Sequence, residues 1–137
     1  MNIQIEEIQD EPPVAILSTQ GDLDASNYQD LIAAARQAHG RGARYLLIDM
    51  ALTPFMSSSG LVALHTVALL MQDQQLPDAD LGWGALHAIS AQANDLAQRQ
   101  VKLLNIQPKV ERTLEKTGLK LFFETFTDRE AALASFR

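Results

Sequence analysis

The chain has 137 residues, 47% of them apolar, with 17 acidic and 11 basic side chains, a formal charge of −6 and no cysteine. That length and apolar share suit one domain with a buried core and exclude global disorder. The missing thiols exclude disulfides and thiolate metal sites, and the acidic balance excludes a general nucleic-acid binder, since Arg36, Arg41 and Arg44 are too few to track a phosphate backbone.

The N-terminus, MNIQIEEIQD, lacks the positive flank and long apolar core of a signal peptide. Residues 3–8 within it form a weak first strand. A stronger strand follows the proline pair, with Val14, Ala15, Ile16 and Leu17 as its apolar run and Gly21 as its stop. Next comes a helix that Asp24 or Ser26 can cap; Leu31, Ile32 and Ala35 give it an apolar face, and Gly40 and Gly42 end it. RYLLIDM at 44–50 is a continuous apolar run, as expected of a strand covered on both faces. A second helix begins near Ser58 and runs to about Met71.

The pattern breaks over residues 72–92, where Pro77, several aspartates (Asp73, Asp78, Asp80) and the only tryptophan, Trp83, predict an inserted irregular loop. Helical text resumes over 91–100, followed by a strand at 101–106. Pro108 opens a short helix that Gly118 ends. Residues 109–116 mix lysine and glutamate as a solvated face with local ion pairs would. LKLFFETF, 119–126, predicts a last strand in which Phe122, Phe123 and Phe126 pack, and Asp128 caps a final helix. The sum is an α/β fold over 1–137, a single domain with a mixed sheet of about five strands and about four helices.

Residues 55–61, FMSSSGL, place three hydroxyls at a strand-to-helix junction. The first turn of a helix offers unpaired N–H groups and the positive end of a macrodipole. A hydroxyl there can cap the helix, help hold an anion, or accept a phosphate that adds a charge of about −1.5 to −2. Gly60 permits close approach to the turn. Hydrolase chemistry is disfavoured, because Met56 stands where a G-x-S-x-G elbow needs glycine, and His65 is two helical turns, about 10 Å, beyond Ser58. His39, His65 and His87 do not stand at metal-ligand spacings, so no metal and no cofactor are expected. His65 is expected on the helix surface or partly buried.

The stretch Leu61–Met71 contains only His65 and Thr66 as polar residues and is too short to span a bilayer. A helix apolar nearly all round must be covered. The expected cover is the chain's own insertion, through Leu76, Leu81, Trp83 and Leu86; a partner protein or a homodimer through this face are the alternatives.

The order G-D-L-D (21–24), helix, YLLIDM (45–50), PFMSSSGL (54–61), helix, LLNIQPKVERTLEKTGL (103–119), strand and REAAL (129–133) resembles the STAS domain family, and in particular its stand-alone anti-sigma factor antagonists. The resemblance covers nearly everything outside the insertion. It implies a cytoplasmic, non-enzymatic protein that binds an anti-sigma factor that is also a serine kinase, is released by phosphorylation, and is reset by a PP2C-type phosphatase. The family text D-S-[ST]-G matches Ser57, Ser58, Ser59 and Gly60, so Ser58 is the implied phosphoacceptor, with Ser57 and Ser59 as alternatives. Ser57 departs from the family's usual aspartate. Asp24 corresponds to the acidic residue of the G-x-L-D turn, and the implied partner surface comprises Asp24, Ser57, Ser58, Ser59, Gly60, Leu61 and Val62. The alternative implied role is an unphosphorylated scaffold subunit of a larger regulatory or transport complex.

Overall fold

The computed structural model describes residues 2–8, 12–72 and 100–136. In chain order these form β1 (Asn2–Ile8), β2 (Val14–Gln20), α1 (Tyr28–Gly40), β3 (Tyr45–Leu52), α2 (Ser58–Met71), β4 (Val101–Leu104), α3 (Pro108–Thr117), a 3-10 turn (Leu119–Leu121), β5 (Thr125–Phe126) and α4 (Arg129–Ala134). The strands make one five-stranded mixed sheet in the order β1-β2-β3-β4-β5. β1 and β2 pair antiparallel, and every later pairing is parallel, as crossover helices require. Residues 73–99, which hold most of the expected insertion and of the helical text after it, lie outside the described residues, and so do the four residues expected to cover α2.

Strand alternation sorts the apolar residues onto two faces. Ala15 and Leu17 of β2, Leu46, Ile48 and Met50 of β3, and Val101 and Leu103 of β4 meet α1, α2 and α3 in the larger core. The intervening residues, Val14, Ile16, Leu47 and Leu104, meet Ala132 and Phe136 at the C-terminus on the other side. Lys102 also points to that second side. Its ammonium is nearly buried, 2.9 Å from Ser135 Oγ, 3.4 Å from a Glu124 carboxylate oxygen and 4.8 Å from the centre of the Phe136 ring. A buried charge needs such partners. At the far end of α4, Arg129 reaches Glu6 of β1 at 2.9 Å, so this short helix is pinned across the sheet at both ends.

α2 is buried almost all round, including His65 and Thr66, within the single chain. His65 is fully buried rather than at the surface, and its ring lies 5.7 Å from that of Phe122.

The expected long last strand is the main departure. Leu119, Phe122 and Phe123 are buried, which is i, i+3, i+4 spacing and suits a helical turn rather than a pleat. Gly118, in the left-handed region at φ 78°, ends α3 and lets the chain turn into that 3-10 segment. Strand pairing is confined to Thr125 and Phe126. Leu121 takes the outer position and is 96% exposed. The start of α1 also differs. Its N-cap position is Asn27, and Asp24 and Ser26 bond to each other and to the turn instead of capping.

Two packing positions give opposite tests. Phe123 packs edge-on against Phe122 in the core, so Phe123→Ala should cost about 3–5 kcal/mol, read as a lower denaturation midpoint in urea. Gly60 sits inside α2, where alanine normally gains up to about 1 kcal/mol of helix propensity. A Cβ there would collide with Met56 Cγ and press on Leu23 at 3.1 Å, both side chains being fully buried. Overpacking of this kind costs about 1–3 kcal/mol, so Gly60→Ala should lower the melting temperature by several degrees; an unchanged or raised value would contradict this packing.

Candidate functional site

The serine turn hangs from a continuation of β3 that no longer belongs to the sheet. Beyond Leu52 the chain is held on one side by the segment after β2. Gly21 N–H donates to Leu52 O at 2.9 Å, Leu23 N–H to Phe55 O at 3.0 Å, and Ser57 N–H to Leu23 O at 2.9 Å. Leu23 and Met56 form a lone parallel bridge, and both side chains are fully buried. Thr19 and Thr53, also buried, join hydroxyl to hydroxyl beneath the turn. On the other side α3 holds it: the Gln107 amide donates to Ala51 O at 2.7 Å, and Thr113 Oγ1 donates to Met56 O at 3.4 Å. Six hydrogen bonds thus fix residues 51–57, a stretch with no regular secondary structure beyond its first two residues.

α2 then opens at Ser58. Ser57 occupies the N-cap position with extended backbone (ψ 179°), and its carbonyl accepts from Gly60 and Leu61 N–H. Its hydroxyl does not cap. Ser57 Oγ is buried and finds no hydrogen-bond partner among the described residues. The amides of Ser58 and Ser59 likewise meet no acceptor there, so the positive end of the helix is left open. Of the three serines, Ser58 is exposed and Ser59 half-buried, while the hydroxyl of Ser57 is sealed from solvent.

Asp24 is brought to this mouth. Because Leu23 bridges Met56, the next residues, Asp24 and Ser57, stand beside one another across the same pairing. The Asp24 carboxylate accepts from the hydroxyl and the amide of Ser26, and those two bonds hold its pKa below the usual carboxylate value. It stays charged at neutral pH. The Asp24 N–H is taken by Asn27 Oδ1, and the Asn27 amide donates to Asp22 O, so the whole acidic turn is self-bonded.

Not every sequence-proposed residue reaches the surface here. Leu61 is 1% exposed and Gly60 is buried, because both face Leu23, Met56 and the core. Val62 is partly buried against the same cluster. In their place two apolar residues from the anchored stretch face outward: Leu52 is 63% exposed and Phe55 43%. Sequence inspection passes over them, since both fall between the strand read over 44–50 and the helix read from Ser58. The signal was their position on either side of Thr53-Pro54, where a proline stops both strand and helix pairing. A cleft of about 460 Å³ lies at the opposite end of α2, bordered by Arg44, Tyr45, Met71 and Gln72, and plays no part in the serine turn. His65, facing Phe122 in the core, cannot serve Ser58 as a base.

No curated protein matches this sequence. Among solved structures, an anti-sigma factor antagonist from Mycobacterium paratuberculosis is similar with a TM-score of 0.65 and 18% identity, over 99% of this chain and 95% of that one. The phosphorylated form of the Bacillus cell fate determinant SpoIIAA is similar with a TM-score of 0.56 and 18% identity, over 99% and 100%. A variant of RsbS from Moorella thermoacetica follows with a TM-score of 0.55 and 19% identity, over 99% and 95%. At such identities the likeness is one of fold. The family model of the STAS domain matches residues 2–77, more than half of the chain and all of the serine turn. With that match and the five-stranded mixed sheet, the chain belongs to the STAS domain family.

Proposed function

We propose that this protein is an anti-sigma factor antagonist whose partner, a serine kinase that is also the anti-sigma factor, docks over the mouth of α2 and phosphorylates Ser58. The observation that carries the reading is the exposure of Ser58 on a rigidly held turn between two outward apolar side chains and the acidic Asp24 turn. An acceptor must be presented to a kinase without unfolding, and the bonds to residues 19–24 and to α3 support that presentation. Leu52 and Phe55 supply the apolar contact that a transient interface concentrates near its centre.

The switch is local. A phosphate on Ser58 places nearly two negative charges and a bulky tetrahedral group at the centre of that surface. Partner carboxylates and close apolar packing are both disfavoured there. The buried core beneath, from Leu23 to Leu61, does not need to move. The chain acts by binding and not by catalysis, in a cytoplasmic pathway in which a PP2C-type phosphatase restores the free hydroxyl. Among the described residues no helix is long and apolar enough to cross a membrane.

The test is direct. Incubation of the protein with ATP and its serine-kinase partner should yield one phosphate, localised to Ser58 by mass spectrometry, and release the complex. Ser58→Ala should remain bound whether or not ATP is present. Absence of phosphate from residues 57–59, with the kinase active on another substrate, would reject the switch in favour of the scaffold role, which predicts a stable assembly indifferent to Ser58→Ala.

A further inference from the structure

α3 sorts its charges onto two flanks. Glu111 and Glu115 lie one turn apart on one flank, and Lys120 bridges them, at 3.1 Å from Glu115 and in closer contact with Glu111. Those two bonds raise the Lys120 pKa. Lys109, Arg112 and Lys116 follow at i, i+3 and i+7, which is a single face of the helix. All three are exposed and none has an ion-pair partner among the described residues. Like charges at i, i+3 and i, i+4 cost a helix a few tenths of a kcal/mol each. Among the described residues no ion pair forms within 109–116 itself; Glu111 and Glu115 pair instead with Lys120 of the 3-10 turn that follows.

The position of this basic face matters more than its composition. Thr113, which follows Arg112 and lies one turn beyond Lys109, donates to Met56 O, the carbonyl just ahead of the serine turn. Its single proton is shared with Lys109 O, 3.1 Å away one turn back on α3. The long side chains of Lys109 and Arg112 thus start beside the mouth of α2, where the Ser58 and Ser59 amides have no acceptor and the Ser57 hydroxyl supplies no cap. In a chain of net charge −6, the turn is flanked on one side by Asp22 and by the Asp24 carboxylate bonded to Ser26, and on the other by three exposed cations with no ion-pair partner among the described residues.

We propose that the Lys109–Arg112–Lys116 face of α3 is the built-in counter-charge for phosphate on Ser58. The ester would be drawn toward α3, away from Asp24, and held by the guanidinium of Arg112, the ammonium of Lys109 and the open amides of α2. Arginine suits the task because its planar fork takes two phosphate oxygens at once. Modification then changes the surface twice: it adds a charge at the turn and it cancels a positive stripe that an unmodified partner surface would meet. The inference rests on Ser58 being the acceptor.

The experiment uses the full chain with phosphoserine installed at position 58 during translation, so that no kinase is needed. The second ionisation of the phosphate is followed by 31P NMR in about 0.15 M salt, where remote charges are screened beyond roughly 8 Å. An exposed phosphoserine titrates near pH 6. The groups facing the ester are Lys109, Arg112 and Lys116 from α3 and Asp22 and Asp24 from the opposing turn, so capture by α3 is expected to lower the midpoint by half a unit or more. The triple variant Lys109→Gln, Arg112→Gln, Lys116→Gln should return it to the value of an unstructured phosphoserine peptide. Lys120→Gln, in the 3-10 turn that follows α3, should leave it lowered. A midpoint equal to that of the peptide in the parent protein would overturn the proposal, as would equal effects of the two variants. Either result would leave the kinase assay on Ser58 untouched, whereas failure of that assay would remove the acceptor itself.

Discussion

The lone bridge between Leu23 and Met56 governs this molecule's surface. It is a single pairing outside the sheet, yet it joins the turn after β2 to the turn before α2 and buries both side chains completely. From it follow the place of Asp24 beside Ser57, the orientation of α2 and the intolerance for a side chain at Gly60. Two buried threonines beneath the turn and two side-chain bonds from α3 tie down the rest. An irregular segment needs such accounting, because each buried backbone group without a partner costs about as much as a lost hydrogen bond. Here the neighbours supply the partners, so a stretch without secondary structure is as fixed as a strand, and the exposed serine it carries is presented in one geometry.

That rigidity explains why two exposed apolar residues are tolerated beside the turn. Scattered surface leucines are ordinary, but Leu52 and Phe55 lie on one short, anchored stretch that leads into an unsatisfied helix start. The self-bonded Asp22–Asn27 turn stands next to them, its carboxylate kept ionised by the Ser26 hydroxyl and amide. Apolar centre, acidic flank and basic flank lie within one end of the fold. The cleft near Arg44 sits at the other end of α2 and lacks this combination.

Most of the fold was legible in the sequence because its signals are local. The apolar runs at 14–17 and 45–50, the prolines at 13 and 108, Gly118 and the Asp128 cap each act over a few residues; Asp128 does accept from Glu130 N–H at 3.2 Å. The same short range explains the failures. LKLFFETF carries strand-forming residues, but the burial of Leu119, Phe122 and Phe123 is decided by what lies across from them, namely α2 and α3. Asp24 and Ser26 are good caps in isolation and spend their bonds on each other. Of the site, Ser58 and Asp24 stand where the motif order implied, whereas the inward turn of Leu61 and the outward turn of Leu52 depend on the bridge, which no local pattern announces.

The departure at Ser57 then acquires a physical meaning. An aspartate, usual at this position in the family, would bring a charge to a place where the present hydroxyl is cut off from solvent and bonded to nothing described. A carboxylate sealed in that way is stabilised only by capping the Ser59 or Gly60 amides. It would also stand next to Asp24, and two neighbouring carboxylates repel one another and any phosphate between them. With serine, the positive end of α2 meets no acceptor among the described residues, and the negative charge of the opposing turn comes from Asp22 and Asp24. The electrostatic balance at Ser58 is therefore tilted toward α3, where Lys109 and Arg112 begin their reach, and a dianion there would meet more attraction than repulsion.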